Sequence, residues 1–520
     1  MSLIRKFASV GGATSASRVL GFVREALIAS VLGAGPVADA FYAAFRFPNL
    51  FRRLFAEGAF NSAFVPLFAK ELEGNGEESA AKFAGEVFSV LFMILLVLTV
   101  LAIAFMPFLV STVIAPAFAD TPSKFELTTQ LARIMFPYLI AMSLMAMLSG
   151  ILNSLRDYFI AAIAPVLLNI TLICVLVSSL YFEFDAASVG IALAIGVLFS
   201  GVLQLGILVL GMKKVGFSFK PRKPRMSPAI KRLLALAAPA ALTGGLIQIN
   251  LVVGQIIASQ QDGAIALLSY ADRIYQLPLG IIGIAIGVVL LPELSRALRA
   301  GDQPEALKLQ NSSMEFALAL ILPASVALAI VPEPIVAVLF ERGKFTPETT
   351  EATAAALAAF SIGLPSFVLI KVFQPAYFAR EDMRTPLWFS LISLIINAGL
   401  SLLLFPTYGH VGIAFATSVS AWTTALLLGG TLWWRNDFRP SPKTLKRCLM
   451  MALSSAVMGI CIYFAADYGW VLFAESGILL RVLLLLSLIL IAIFVYFPMA
   501  IFTDALDREA LKRSLVRRRS

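Results

Sequence analysis

The chain predicts an all-α polytopic membrane protein of about fourteen transmembrane helices, six in each half and two more at the C-terminus. Three observations carry this. Hydrophobic residues make up 59% of the 520 residues and mean hydropathy is +0.89, beyond the roughly 45–50% apolar content of soluble domains. Apolar stretches of about 20–30 residues, each long enough for a bilayer core, recur along the whole chain. Finally, the basic residues are distributed unevenly between the connections.

The spans fall near 8–33, 38–69, 83–113, 130–152, 159–181, 186–211, 233–258, 264–295, 309–332, 349–379, 386–406, 410–434, 448–466 and 477–502. Of 41 Lys and Arg, nine lie inside these spans. With a cytoplasmic N-terminus, 29 of the other 32 face the cytoplasm, and Lys124, Arg342 and Lys344 face outward. This is the positive-inside asymmetry. It predicts an even span count with both termini cytoplasmic, and it reads the +10 net charge as topology rather than as a nucleic-acid surface. The organisation that follows is an N-terminal lobe over 1–212, a basic cytoplasmic linker over 213–232 and a second lobe over 233–435. Two further spans occupy 436–503, and a basic tail occupies 504–520.

Six spans per lobe is an even number, so the lobes would share one orientation. A shift of 228 residues pairs Pro137 with Pro365, Arg156 with Arg384, Asn169 with Asn397, and Tyr42-Ala43 with Tyr270-Ala271. The identities are few, but their roles match. Arg5 and Lys6 before an apolar stretch imitate a signal peptide, yet Arg18 and Arg24 interrupt it, so a retained first helix is expected. Cys174, Cys448 and Cys461 form no spaced framework, and neither a disulfide nor a metal site is indicated.

The first two spans hold Arg18, Arg24, Glu25, Asp39, Arg46, Arg52, Arg53 and Glu57. A charge at mid-membrane depth costs roughly 2.5–3.5 kcal/mol on insertion scales, so it is expected to face a watery cavity or a partner. Arginine presents a planar fork suited to carboxylate and phosphate, so an arginine-lined cavity points to an anionic substrate. Helical spacing puts Asp39, Arg46 and Arg53 on one stripe covering about 21 Å. Arg18 and Glu25 share a face of the first span, Arg24 aligns with Ser17, and Arg53 and Glu57 are spaced to pair. Asp272 and Arg273 lie in the eighth span and Lys371 in the tenth. The competing reading is that these charges are buried ion pairs that fix helix packing, or cations that snorkel to the interface. Asp39 and Asp272 could serve mainly to orient neighbouring arginines. Arg133 and Arg481 read as interfacial.

Gly280, Gly283 and Gly287 suit either a bendable helix or close packing through small residues. Asn250, Asn397, Ser401 and Thr417 could offer oxygens to a monovalent cation, but no carboxylate accompanies them and interhelical hydrogen bonding explains them better.

Three segments are distinctive: Ser17-Arg18-Val19-Leu20-Gly21-Phe22-Val23-Arg24-Glu25, then Gly33-Ala34-Gly35 with Asp39-Ala40-Phe41, and Phe47-Pro48-Asn49-Leu50-Phe51-Arg52-Arg53-Leu54-Phe55-Ala56-Glu57-Gly58. Together they resemble the MurJ (MviN) family of bacterial lipid II flippases, in the multidrug/oligosaccharidyl-lipid/polysaccharide exporter superfamily. The resemblance continues through Tyr270-Ala271-Asp272-Arg273-Ile274 and covers essentially the whole chain. It implies two six-helix lobes around a central cationic cavity plus two C-terminal helices, in which Arg18, Arg24, Arg52 and Arg273 meet the lipid diphosphate and nearby sugar. Ser17, Glu25, Asp39, Arg46, Arg53, Glu57, Asp272 and Lys371 would then line or gate the cavity, and the last two spans would form a groove for the polyprenyl tail. Position 25 is Glu where many relatives have Asp. Some relatives carry a sodium site with second-half carboxylates, and Asn250 and Ser401 stand in such places here, which argues against sodium coupling.

The expected function is therefore alternating-access flipping of lipid II, the undecaprenyl-diphosphate disaccharide-pentapeptide, from the inner to the outer leaflet of the bacterial cytoplasmic membrane for cell-wall synthesis. The implied partners are lipid II and membrane lipids, with room for other cell-wall synthesis proteins. No cofactor is expected, and coupling would be to a monovalent cation or to the membrane potential. One alternative is a flippase for another polyprenyl-linked glycan. A drug/cation antiporter of the same superfamily is another, although a cationic drug would want an acidic cavity. A lipid-phosphate hydrolase or transferase would need a base or metal, and the one histidine, His410, reads as part of an outer turn with no ligand cluster around it.

Overall fold

Every regular element among the described residues is a helix, as a bilayer requires of a chain that must satisfy each backbone N–H and C=O internally. The computed structural model describes the backbone of residues 3–52, 60–473 and 476–506, and their side chains except at 3–10, 51–52, 62, 239–244, 246–247, 284–285, 287–289 and 470–473.

The order is α1 (Leu3–Leu32), α2 (Pro36–Arg52), α3 (Phe60–Ala104), α4 (Met106–Leu109), α5 (Pro122–Met135), α6 (Tyr138–Ser154), α7 (Phe159–Tyr181), α8 (Ala186–Val215) and α9 (Pro228–Ala258). Then follow α10 (Ala264–Arg299), α11 (Gln303–Ile330), α12 (Pro332–Phe340), α13 (Pro347–Ile362), α14 (Leu364–Phe378), α15 (Arg384–Trp434), α16 (Pro442–Phe473) and α17 (Ile478–Phe502). A π turn (Val110–Ile114) and a 3-10 turn (Pro116–Asp120) follow α4. Caps mark several starts. Asp185 accepts from Ala187 N and Ser188 N at the head of α8, Ser227 from Ile230 N at α9, Asp302 from Glu305 N at α11 and Thr346 from Thr349 N at α13. Gly216, left-handed at φ 82°, closes α8 behind Lys213 and Lys214.

Nine segments among the described residues are long and apolar enough to cross a membrane. One of them, Arg384–Trp434, is broken at Gly409 (φ 53°, ψ −138°) and covers the two spans expected at 386–406 and 410–434. α1 and α2 fall outside the nine, because arginines lower the hydropathy of α1 and α2 has only 17 residues. Two spans expected to be continuous are interrupted. The one at 130–152 is joined from α5 and α6 across Phe136-Pro137, and the one at 349–379 from α13 and α14 across Gly363. Pro137 at the first joint and Pro365 two residues past the second supply no N–H, which weakens the ladder there.

The 228-residue shift describes the element order better than it describes the sequence. Shifted by that amount, Pro36 at the start of α2 falls on Ala264 at the start of α10. The break after α5 falls on the break after α13, and the kink at Gly76 in α3 falls next to the head of α11.

Two compact units result: Met1–Ala266 with Gly343–Phe345, and Leu267–Arg342 with Thr346–Ser520. In the first, α1 packs along α7, α7 and α6 on α8, α2 on α5, and α3 on α6 and α9. A phenylalanine-rich core of Phe60, Phe64, Phe68 and Phe83 holds α3, and Phe217 packs edge-on against Phe68. The basic linker runs on from there along α3. Arg222 N donates to Ser89 Oγ (2.9 Å) and Ser227 Oγ to Glu86 (2.9 Å). A Cβ on Gly85 would lie 2.3 Å from the Lys220 carbonyl oxygen, so only glycine allows this approach.

In the second unit, α14 and α13 pack on α15 and α11 on α14, with α16 against α11 and α17. Glu315 of α11 receives Arg447 (2.9 Å) and Thr444 (2.6 Å) of α16. Arg481 of α17 pairs with Glu341 at 2.6 Å, so it is a tether for α17 more than a snorkelling cation. Phe464 and Phe494 remain largely exposed on α16 and α17, as lipid-facing side chains should be.

Candidate substrate site

The densest intramembrane charge in the first unit sits where α1 lies along α7. Arg24 is 6% exposed and Glu25 3%. Arg24 Nη1 donates to Asn169 Oδ1 of α7 (2.9 Å), and its Nη2 pairs with the Glu25 carboxylate. Tyr42 of α2 donates its hydroxyl to Glu25 Oε2 (2.6 Å). Asn169 Nδ2 donates to the Ser17 carbonyl (2.9 Å), one to two turns before Arg24 on α1. The amide orientation follows from its neighbours, because a flip would aim NH₂ at a guanidinium and oxygen at a carbonyl. Arg24 Nε has no partner among the described residues. Nε is unpaired but fully buried, so an acceptor such as a phosphate oxygen takes it only once the site opens. Arg18, a turn and a half earlier on α1, is exposed, and Ser17 is half-buried.

Asp39 belongs to a second cluster. It is fully buried, and its carboxylate accepts from Lys124 Nζ of α5 (2.8 Å), Gly263 N (2.7 Å) and Ala266 N (3.0 Å). The last two are orphan donors at the head of α10, so Asp39 caps that helix from a distance and meets its positive end. Lys124 also pairs with Asp262 (2.8 Å) and lies 4.1 Å from the Phe118 ring centroid. Asp39 thus orients a lysine and a helix terminus, not an arginine. Arg46, expected on the same stripe, is half-buried and engaged with neighbours of its own. Arg52 closes α2, but its side chain lies outside the described residues, as do Arg53 and Glu57 altogether.

In the second unit, Asp272 is half-buried and accepts from Gln276 Nε2 one turn on. Arg273 beside it is exposed and holds an interaction of its own. Lys371 lays its stem on Gly283, where a Cβ would come within 2.6 Å of Lys371 Cδ. The glycine at 283 is therefore explained by close approach of a lysine. Of the four candidate cation-site positions, Ser401 donates to Asn397 (3.1 Å) and Thr417 donates back to Ile413 O of its own helix (2.9 Å). Asn250 is half-buried with an interaction of its own, and the described residues hold no group of three or more metal-ligating side chains. His410 lies buried in α15 with Nε2 2.9 Å from the Ala352 carbonyl.

Outside the spans, Asp382 bridges to Arg435 at 2.8 Å. Burial alone would raise its carboxyl, but the hydroxyl and amide of Thr385 and the Arg435 guanidinium outweigh that and bring it down to about 2.

An apolar cavity of about 260 Å³ opens among α11, α12, α16 and α17, with Pro323, Ala327, Met458, Leu488, Ala492 and Tyr496 in its wall. The Tyr496 hydroxyl donates to the Ala319 carbonyl (2.7 Å).

Sequence reasoning missed three participants. Lys124 read as an outer connection, and nothing in sequence ties it to a residue 85 positions away. Tyr42 stands out in the sequence only as half of a repeated dipeptide. Asn169 carries a usable signal, a polar amide inside an apolar span, beyond its place in the repeat.

Long apolar helices along most of the described chain, with buried charged clusters among them, define a polytopic membrane protein. The fold agrees with a MATE family multidrug transporter of the MOP superfamily, at TM-score 0.64 and 18% identity over 81% of this chain and 94% of the other. A closer structural likeness is to "Lipid II flippase MurJ, inward closed conformation", at TM-score 0.77 and 27% identity, covering 98% of this chain and 99% of that one. The family model described as "Lipid II flippase MurJ" matches residues 28–499. A "Probable lipid II flippase MurJ" of Rhizobium tropici is 51% identical over 100% of this chain and 98% of its own length. A "Lipid II flippase MurJ" of Burkholderia cenocepacia is 35% identical over 90% of this chain and 92% of its own. The chain belongs to the lipid II flippase MurJ family, and it is a multi-pass bacterial membrane protein.

Proposed function

We infer that this protein carries lipid II from the inner to the outer leaflet of the bacterial cytoplasmic membrane, with both termini in the cytoplasm. Family membership supplies the substrate. The observation that ties substrate to site is Arg24: a buried guanidinium on α1 that keeps a free Nε–H edge beside its pair with Glu25. A diphosphate can take that edge. Arg18, Arg52 and Arg273 complete the set of cations assigned to the diphosphate and adjoining sugar. Ser17, Glu25, Asp39, Arg46, Arg53, Glu57, Asp272 and Lys371 tune or gate access. The apolar cavity among α11, α12, α16 and α17 suits a polyprenyl tail, since its wall offers hydrocarbon and its tyrosine hydroxyl is already bonded within the protein. Alternating access moves the headgroup across. The membrane potential acts on any net charge moved, at about 2.3 kcal/mol per charge per 100 mV. No covalent step is assigned.

The test is replacement of the native lipid II flippase in a bacterium by this chain, with outward exposure of labelled lipid II as the readout and membrane protein level checked. Wild type is expected to restore exposure and well-expressed Arg24→Ala or Arg273→Ala to fail. Failure of well-expressed wild type would redirect the substrate to another polyprenyl-linked glycan. Full activity in both variants would remove the cationic site.

A further inference from the structure

Arg24 cannot aim itself. A long guanidinium side chain on a membrane helix has many rotamers, and the adjacent Glu25 would hold it whatever its direction. What sets its direction is Asn169, on a helix 145 residues away in sequence and 6% exposed. Its oxygen takes Arg24 Nη1 and its NH₂ takes the Ser17 carbonyl, so one amide clips both ends of the roughly two turns of α1 that carry Ser17, Arg18 and Arg24. Gly21 lies beside the amide: a Cβ there would stand 3.6 Å from both Asn169 polar atoms, an ordinary contact distance. Two of the guanidinium's three nitrogens are engaged, by Asn169 and Glu25, and Nε is left open.

Resting on the cationic-site reading above, we propose that Asn169 is a positioning residue for the transported diphosphate: it keeps Arg24 in place while the Glu25 carboxylate is exchanged for the substrate's phosphate oxygens. The exchange needs such a clip. A guanidinium held only by Glu25 would follow Glu25 when the carboxylate leaves. A neutral amide holds it without competing for its charge, whereas a carboxylate at 169 would become a second permanent counter-ion.

The experiment uses the full-length chain in lipid nanodiscs, with undecaprenyl diphosphate as the binding probe and lipid II exposure as the transport readout. Asn169→Leu is expected to weaken probe binding about tenfold, the worth of one hydrogen bond to a charged group. Asn169→Asp, which keeps an acceptor for Arg24 but adds charge, is expected to weaken it as well. In an Arg24→Ala background neither change should weaken binding further, since the two residues act as one unit. A residue that merely packs α7 on α1 would lower thermal stability and give additive losses in both backgrounds. Additive losses, or wild-type binding by a folded Asn169→Asp, would overturn the assignment while leaving Arg24 in its role. If Arg24→Ala itself binds the probe as wild type does, the cationic site falls first and the positioning role falls with it.

Discussion

The two charged clusters of the first unit each pair a buried carboxylate with a basic side chain and end in opposite states. Around Asp39, every strong demand is met: Lys124 supplies the counter-charge, two amides at the head of α10 supply the remaining donors, and Lys124 has Asp262 as a second partner. Around Arg24, the pair with Glu25 leaves a donor edge open inside the protein. A saturated cluster has nothing left to give a ligand and acts only through the helices it ties together. An unsaturated one costs stability until something binds it, and that cost is sustained where a substrate arrives. Counting charges in a membrane helix therefore says less about function than counting which donors remain.

The comparison can be broken most directly at Lys124. Lys124→Met should strand the buried Asp39 carboxylate and destabilise the protein by about 3 kcal/mol or more, as removal of one member of a buried pair does. The thermal midpoint in detergent reads this, and the Lys124→Met/Asp39→Asn double variant should recover much of the loss. If Lys124→Met melts like wild type, the saturated cluster is not structural.

At the other cluster the expected loss is of function. Arg24→Ala combined with Glu25→Gln, so that no buried carboxylate is stranded, should cut lipid II exposure about 10- to 100-fold, the range of charge-assisted hydrogen bonds, with little change in melting. A large drop in melting would make Arg24 a structural ion like Lys124. Tyr42→Phe removes one donor from Glu25 and should slow exposure only a few-fold. An unchanged rate would leave the Tyr42 hydrogen bond with no part in transport.

The smallest effect is expected at a surface pair that belongs to neither cluster. Asp382 has its carboxyl depressed to about 2 in the fold, below its unfolded value, so its contribution is present above the unfolded value and lost as pH falls through about 2. The melting difference between wild type and Asp382→Asn should be flat from about pH 5 to 8 and shrink below about pH 4. A difference that changes between pH 5 and 8 would contradict this assignment.

Much of the fold was legible. Apolar runs place most of the helices, and the capping residues Asp185, Ser227 and Thr346 stand where chain turns were expected. The breaks at Phe136-Pro137 and Gly363 were not foreseen, because an apolar run looks continuous whether or not its backbone ladder is. The 228-residue repeat was faint in identities and clear in element boundaries, since helix ends depend on length and punctuation more than on which apolar residue fills a position.

Composition and periodicity determined by themselves that this is a helical membrane protein with a surplus of arginine on its first helix, because hydropathy and charge are properties of each residue where it stands in the chain. Which of those charges are neutralised was decided by the tertiary structure alone. The partners Lys124 and Asn169 lie 85 and 145 residues from Asp39 and Arg24. Pairing at that separation is set by which helix faces pack together, a matter of side-chain shape across α1, α2, α5 and α7 that no local pattern records.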